Sequence, residues 1–482
     1  MNKNIDTPFS SLMVAIFSGA FLAILNSSSV NIMLPDLMKE LHTSMDAVRW
    51  TITGFMLAMG TMAPLTGYLG EKLSYKRLYI LSLVGFTFSS LLCALSWNIY
   101  SLITFRVLQG CFSGFLTPAA MTIIFQVVPK NKQASALSIW NLAAMLAPAF
   151  GPTLAGWLIQ NFSWKSVFLI NLPLGIITAV LAVKILPFYK FQSELDFDFP
   201  GLSTCIAASI FLLVAFSQGV SWGWSSLQII SLLSAGILFL GLFIYRELTA
   251  ESPMLNLSVF KRKTFTLSVI VGCLVNIALY SATLLTPLFL QNCLALSSMD
   301  TGLVMFPSSL MLAFTTFFVG KIFEKVKPHF FVIAGMSVLA LATWRMGYLT
   351  LNTSKAFVIL WMSVRNIGIG LVFMPVTSIG MSVIEKKLSG HASGVNNWIR
   401  TACASLAIGI FSSLLVSRTA YHVEQLRSSG IESGIAKAQA YVSAMDDIFI
   451  LAAIVLVLGF PLGFMMRKKH DKKSYELAEK TA

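Results

Sequence analysis

The chain is poor in charge, and poorest in acid. Of 482 residues only 11% are Asp, Glu, Lys or Arg, whereas a water-soluble domain carries about 25%. Water is therefore not its main solvent, and a soluble globular fold is excluded. Cysteine is also scarce: Cys93, Cys111, Cys205, Cys273, Cys293 and Cys403 stand singly, most of them inside apolar runs. No CxxC pair or Cys/His ligand spacing occurs, so neither a metal site nor a disulfide framework is expected. These cysteines read as small packing residues. The chain has no phosphate-cradling loop, no His-Glu-x-x-His and no paired catalytic carboxylates, so enzyme chemistry is not expected.

Apolar sequence is what the chain has in excess, at 56%. Runs of about 20 residues, enough to cross a bilayer as helix, fall near 12–34, 50–70, 79–97, 102–126, 136–160 and 166–187. Two more lie near 201–219 and 227–246. Six follow, near 265–290, 301–322, 330–350, 356–380, 393–416 and 446–466. The expected fold is an all-α polytopic membrane protein of fourteen spans. The start, "MNKNIDTPFSSL", lacks the basic region and cleavage site of a secretory signal, so the first span is expected to be retained. With the N-terminus cytoplasmic, most of the 34 Lys and Arg residues fall on cytoplasmic segments. The opposite face holds Lys39, Arg49, Lys165, Lys355, Arg418, Arg427 and Lys437. The positive-inside rule thus places both termini in the cytoplasm of a multi-pass protein of the cell (inner) membrane. The net charge of +14 is dispersed over short loops, which argues against nucleic acid as a partner.

The chain repeats itself. "GYLGEKLSYKRL" after span 2 sets Gly67 ahead of Glu71-Lys72, and "GKIFEKVKPHF" after span 10 sets Gly320 ahead of Glu324-Lys325. Two spans later an arginine stands in each apolar run, Arg106 in "RVLQGCFSGFLTP" and Arg365 in "RNIGIGLVFMP". "ASALSIW" at Ala134–Trp140 is echoed by "ASGVNNW" at Ala392–Trp398, at nearly the same separation. Residues 1–190 and 261–466 are therefore expected to be two six-helix bundles in parallel orientation around a central cavity. Residues 191–260 would be an inserted pair of spans with linkers, and 467–482 a basic cytoplasmic tail.

These motifs carry a resemblance. "GYLGEKLSYKR" resembles the loop motif G-x-L-a-D-r-x-G-r-k of the major facilitator superfamily, with Glu71 for its Asp, Ser74 for its second Gly and Tyr75 for a basic residue. "RVLQGCFSG" is similar to the fourth-span motif through Arg106, Gln109, Gly110 and Gly114. "APAFGPTLAG" resembles the fifth-span antiporter motif through Gly151, Pro152 and Gly156. "WKSVFLINLPLG" at Trp164–Gly175 is similar to the span-6 entry of the fourteen-helix drug:proton antiporter branch. The resemblance covers nearly the whole chain. It implies the major facilitator fold and multidrug efflux by antiport, with antibiotic resistance as the associated phenotype. It further implies a small amphipathic substrate and an ion gradient, the proton gradient first, in place of any cofactor. A monomer among membrane lipids is the expected state.

The residues supply physical reasons for these roles. Gly67 permits close helix approach. Glu71 can pair with Lys72, Lys76 or Arg77, or meet a helix N-terminus, in one conformation only; with Glu324 in the second half, this forms an expected conformational latch. In span 5, Ala143, Ala147, Gly151 and Ala155 recur every fourth residue, a period that allows tight helix contact. Pro148 and Pro152 free carbonyls and bend that helix. Ala147, Pro148, Gly151, Pro152 and Gly156 are thus the expected helix-packing set.

Arg106, Arg345, Arg365 and Arg400 are the charges inside spans, and such residues are functional candidates by default. Arg345, near a span end, is expected to snorkel. Asn26, Asn31, Arg106, Gln109, Arg365, Asn396, Asn397 and Arg400 are the expected substrate-cavity residues. No acid lies clearly within a span, no histidine is expected to be buried in one, and Asp446 and Asp447 are placed at a span end. In the resembling family, span 1 carries L-D-x-T-x-x-N-x-x-L-P, with its Asp the proton site; Asn26 stands there in this chain, with Asn31 and Pro35 matching. An amide does not titrate, so Asp36 becomes the nearest proton-site candidate. The alternatives are an exporter of an anionic, zwitterionic or lipid-like substrate with non-standard coupling, or a transport-inactive membrane sensor or scaffold. Residues 418–444 are expected as a polar loop at the outer mouth.

Overall fold

The computed structural model describes residues 8–188, 198–250, 253, 255–323, 325–326, 328–428 and 433–465. Among them every regular element is helical. The first bundle comprises α1 (Phe9–Ser29), α2 (Leu34–Glu40), α3 (Met45–Met62), α4 (Thr66–Leu73), α5 (Tyr75–Ala94), α6 (Ile99–Val127), α7 (Lys130–Asn161), α8 (Trp164–Leu169) and α9 (Asn171–Ile185). The inserted pair is α10 (Phe199–Trp222) and α11 (Leu227–Thr249). The second bundle comprises α12 (Lys263–Asn292), α13 (Ser298–Ile322), α14 (Pro328–Arg345), α15 (Lys355–Ser382), α16 (Ser389–Ser428), α17 (Ser433–Leu458) and α18 (Phe460–Met465). Twelve helical segments among the described residues are long and apolar enough to cross a membrane. The two remaining expected spans fall on α7, which opens on the polar run Lys130–Gln133, and on the 18-residue α14. The fold is thus the expected all-helical one.

Local chemistry sets the helix ends. Asn98 Oδ1 accepts from Ser101 N (2.8 Å) while Ser101 Oγ accepts from Asn98 N (3.2 Å), a reciprocal cap that starts α6. Ser44, Ser226 and Ser354 cap α3, α11 and α15 in the simpler one-way form. Pro64, which has no N–H, lies in the 3-10 turn Ala63–Leu65, where the expected second span breaks into α3 and α4. Ser74 joins α4 to α5 at φ +83°, a conformation that suits glycine, and its side chain accepts from Arg77 N.

Glycines then let helices touch. On α6, a Cβ at Gly110 or Gly114 would meet the Phe55 or Met59 carbonyl oxygen of α3. On α15, a Cβ at Gly368 would meet the backbone of Leu339 on α14. Backbone contact of this kind gains dispersion where lipid supplies no hydrophobic drive.

The inserted pair is bolted together at one end and wedged between the halves. Asp198 Oδ1 accepts from Gly201 N at the start of α10 and from Arg246 Nε (3.0 Å) near the end of α11. Trp398 Nε1 of α16 donates to Ser209 Oγ of α10 (2.9 Å), and Gly60 of α3 lies against Leu213 of α10 and Thr401 of α16.

Residues 418–444 are not a loop. α16 runs on to Ser428 and α17 starts at Ser433, leaving only 429–432 between them, outside the described residues. Arg418 Nε donates to Asp447 Oδ2 (2.7 Å), which His422 Nε2 also meets at 2.9 Å. These pairs join the two helices where polar sequence gave no apolar run to read. Asp446 and Asp447 consequently lie inside α17, not at its end.

Candidate functional site

Hydrogen bonds between the two bundles gather at the end that carries Lys72, Lys76 and Arg77. Thr122 Oγ1 and Ser393 Oγ lie 3.0 Å apart, and Ser393 Oγ donates to the Pro118 carbonyl (2.7 Å). Gln126 Nε2 donates to Ser389 Oγ (2.8 Å) and to the Lys386 carbonyl (3.0 Å). Below them Glu71 Oε1 meets His391 Nε2 at 3.0 Å, both side chains being buried. The other ring nitrogen, Nδ1, accepts from Asn256 N (3.4 Å) in the segment after α11. Accepting that N–H leaves Nδ1 without a proton, so Nε2 carries it and donates to the Glu71 carboxylate. A Cβ at Gly67 would stand 2.8–2.9 Å from His391 Nδ1, Cα and N, so this contact needs glycine.

Of the expected latch contacts, a basic partner or a helix N-terminus, Glu71 makes the second. Glu71 reaches the first turn of α16 and its histidine. Lys72 Nζ donates to Tyr68 OH (3.4 Å), Lys76 Nζ to the Val183 carbonyl (2.7 Å), and Arg77 stacks over Phe188 (5.0 Å). The expectation that no histidine is buried in a span is also overturned. α16 starts at Ser389, four residues before the apolar run, and draws His391 into the interface with Glu71. Glu324 lies outside the described residues. Its partner glycine, Gly320, packs against Ser138 of α7.

At the centre of the first bundle Arg106 is 1% exposed. Its Nη1 donates to Asn26 Oδ1 (2.7 Å) and Gln109 Oε1 (2.6 Å), and its Nε to the Thr51 carbonyl (3.0 Å). Phe55 stacks on the guanidinium at 4.0 Å. The acceptors are all neutral; among the described residues no carboxylate pairs with this charge. Turning both amide oxygens to Arg106 leaves Asn26 Nδ2 and Gln109 Nε2 buried without a partner.

In the second bundle Arg365 is also 1% exposed. Its Nη2 donates to the Ala278 carbonyl of α12, and its Nε has no partner. Arg400 stacks on Phe373 at 4.0 Å and lines a recess with Asn396, Ser268, Gly272, Thr377 and Phe373. Asn397, one residue round the helix, is half-buried and does not line this recess. Arg345 stacks on Trp361 (5.3 Å) in the last turn of α14.

On α7, Ser28 Oγ of α1 donates towards the Ala147 carbonyl (3.4 Å), and a Cβ at Gly151 would collide with Ser28. Ser29 Oγ donates to the Gly151 carbonyl (3.2 Å). Gly156 departs from the expected packing set, because a Cβ there would meet nothing. It lies one residue off the four-residue stripe, about 100° round the helix. The side chains of Pro148, Pro152 and Asn31 lie outside the described residues. Asp36 lies in the first turn of α2, half-buried.

His391, the partner of the latch residue Glu71, and Asn256, the partner of His391, were not among the residues the sequence singled out. The only signal for His391 was the echo "ASGVNNW" starting at Ala392, which marks it as the residue before a repeated segment.

Comparison with known proteins agrees with this architecture. The Major Facilitator Superfamily profile matches residues 16–408. The uncharacterized MFS-type transporter YcnB of Bacillus subtilis is 31% identical over 97% of this chain and 98% of its own. The lincomycin resistance protein LmrB of Listeria innocua is 27% identical over 95% and 96%. The probable multidrug resistance protein EmrY of Escherichia coli is 29% identical over 86% and 82%. Among solved structures, the human organic anion transporter MFSD10 superposes with a TM-score of 0.66 over 93% of this chain and 99% of that one. At 15% identity this is a likeness of fold.

Proposed function

Because the chain belongs to the Major Facilitator Superfamily, we propose that it is a secondary active exporter of amphipathic drugs or metabolites working by alternating access. The observation that carries this reading is the seam at one end: Glu71–His391, Gln126–Ser389 and Thr122–Ser393 join two bundles that each carry a buried arginine. A seam of a few hydrogen bonds can open without unfolding either bundle, since each bond contributes about 0.5–1.5 kcal/mol, or about 1.5–3 where a charge takes part. Relatives named for lincomycin and multidrug resistance support export as the direction and drugs as the cargo. In this reading the protein works as a monomer in the cell (inner) membrane, with the seam and both termini on the cytoplasmic side.

An ion gradient, the proton gradient first, supplies the energy. Asn26 does not titrate, so the proton would be carried elsewhere; Asp36 at the mouth and Glu71 at the seam are the groups assigned to it. Reconstitution into proteoliposomes with an imposed pH gradient, against a chemically varied substrate panel, tests the reading. Gradient-driven flux that disappears in Arg106→Ala is the expected result. A folded protein that moves no member of the panel would overturn it.

A further inference from the structure

The seam and the Arg106 network bury their polar groups, but Arg400 does not. It borders a narrow recess of about 10 Å³ between α12, α15 and α16, room for a single water in this state, and stacks on Phe373, with Asn396 one turn earlier on the same helix. No carboxylate pairs with it among the described residues. The titratable side chains that approach it are Tyr280 and Cys273, neither of which is an acid of the carboxylate kind. The rest of the lining divides by chemistry. Ser268, Thr377 and Asn396 are polar, while Phe265, Val275, Val372, Phe373, Val376 and Met381 are apolar. A cation without a counter-charge, set in a largely apolar recess, asks its ligand for an anion attached to an apolar body.

We infer that this recess, widened as the two halves part in the transport cycle, binds an amphiphile bearing one oxyanion, a carboxylate, sulfonate or phosphate ester, held by Arg400 with Asn396 beside it. The apolar body lies along Phe373, Val376 and Met381. The inference rests on the exporter reading and names its substrate class. Guanidinium offers a planar fork to an oxyanion, and an ammonium in its place keeps the charge while losing the fork. A cationic amphiphile of the same shape would meet Arg400 with like charge. An anionic lipid headgroup and a soluble anionic amphiphile share this chemistry.

The test is binding, measured by calorimetry on the full chain in phosphatidylcholine nanodiscs. Three matched probes serve: 2-naphthalenesulfonate, 2-naphthalenemethanol and 2-naphthyltrimethylammonium. The sulfonate is expected to bind at least ten-fold more tightly than the trimethylammonium compound. Arg400→Gln should abolish that preference, and Arg400→Lys should retain part of it, which separates lost charge from lost folding. Competition by phosphatidylglycerol added to the discs would support the inference with a lipid headgroup as occupant. Its absence, with the sulfonate preference intact, would support it with a soluble one. Equal affinity for the three probes, or a preference that survives in Arg400→Gln, overturns the inference. Transport of the same probes in proteoliposomes separates the two readings. A chain that exports the trimethylammonium compound without binding the sulfonate keeps the exporter and loses this site. One that binds the sulfonate and moves nothing keeps the site and loses the exporter.

Discussion

Arg106 and Arg365 hold equivalent places in two parallel halves, yet their surroundings differ. Arg106 meets two side-chain amides, a carbonyl and the face of Phe55. Arg365 reaches the carbonyl of Ala278, and its Nε has no partner. Each contacts the first helix of its own bundle, α1 or α12. The difference follows from the neighbours: α1 offers the amide of Asn26 and α6 that of Gln109, while α12 offers the backbone of Ala278 and α15 has Gly368 three residues after its arginine. A buried charge whose donors are answered stabilises its surroundings, and one half-answered is tolerated by them. The first half is therefore built around its arginine, whereas the second merely accommodates one.

The largest expected effect breaks this asymmetry directly. Arg106→Ala strips a donor from Asn26, Gln109 and Thr51, and should cost about 3 kcal/mol or more, with loss of flux. Arg365→Ala, with fewer bonds to lose, should cost about half as much. Thermal unfolding in detergent beside proteoliposome flux measures both, and equal losses would end the comparison. Next is Asn26→Asp, which sets a carboxylate within reach of Arg106. A charge pair there should raise the melting temperature and make flux more sensitive to an imposed pH gradient. Flux indifferent to the gradient would show that span 1 has no part in coupling.

A third comparison sets Gly67 against Gly156. Gly67→Ala drives a methyl into the His391 backbone and should part the seam, so a thiol at Ser393→Cys should react faster with an impermeant reagent. Gly156→Ala meets nothing and should change stability by no more than about 0.5 kcal/mol. Ser74→Gly should act in the opposite sense, as a modest gain. Relief of the positive φ, worth about 1–2 kcal/mol, outweighs a cap loss of a few tenths. A small rise in melting temperature checks it, and a fall would show that the cap to Arg77 matters more.

The sequence was most informative where lipid does the selecting. Apolar runs marked the helices, and a charge inside such a run singled out Arg106 and Arg365 before any geometry. It was least informative where polar groups are buried by protein. His391 reads as a loop residue because its partner Glu71 is far along the chain, and nothing local announces the pairing. The helical extension to Ser428 was hidden for the opposite reason, since polar turns held by Arg418–Asp447 leave no apolar signature. Asn26 was legible as a departure from the family pattern, but its role as acceptor for Arg106 required the fold. Gly156 matched a motif that its own packing does not use.

The bond from Trp398 to Ser209 and that from Asn256 to His391 tie the inserted helices to α16. If the halves rock with those bonds intact, the jaws are unequal, because α10 and α11 travel with the second bundle. The α3 face of α10, where Gly60 lies against Leu213, is then the side that slides. A lubricated surface on one side and a riveted one on the other would give the motion a preferred axis, which a symmetric pair of six-helix bundles would lack.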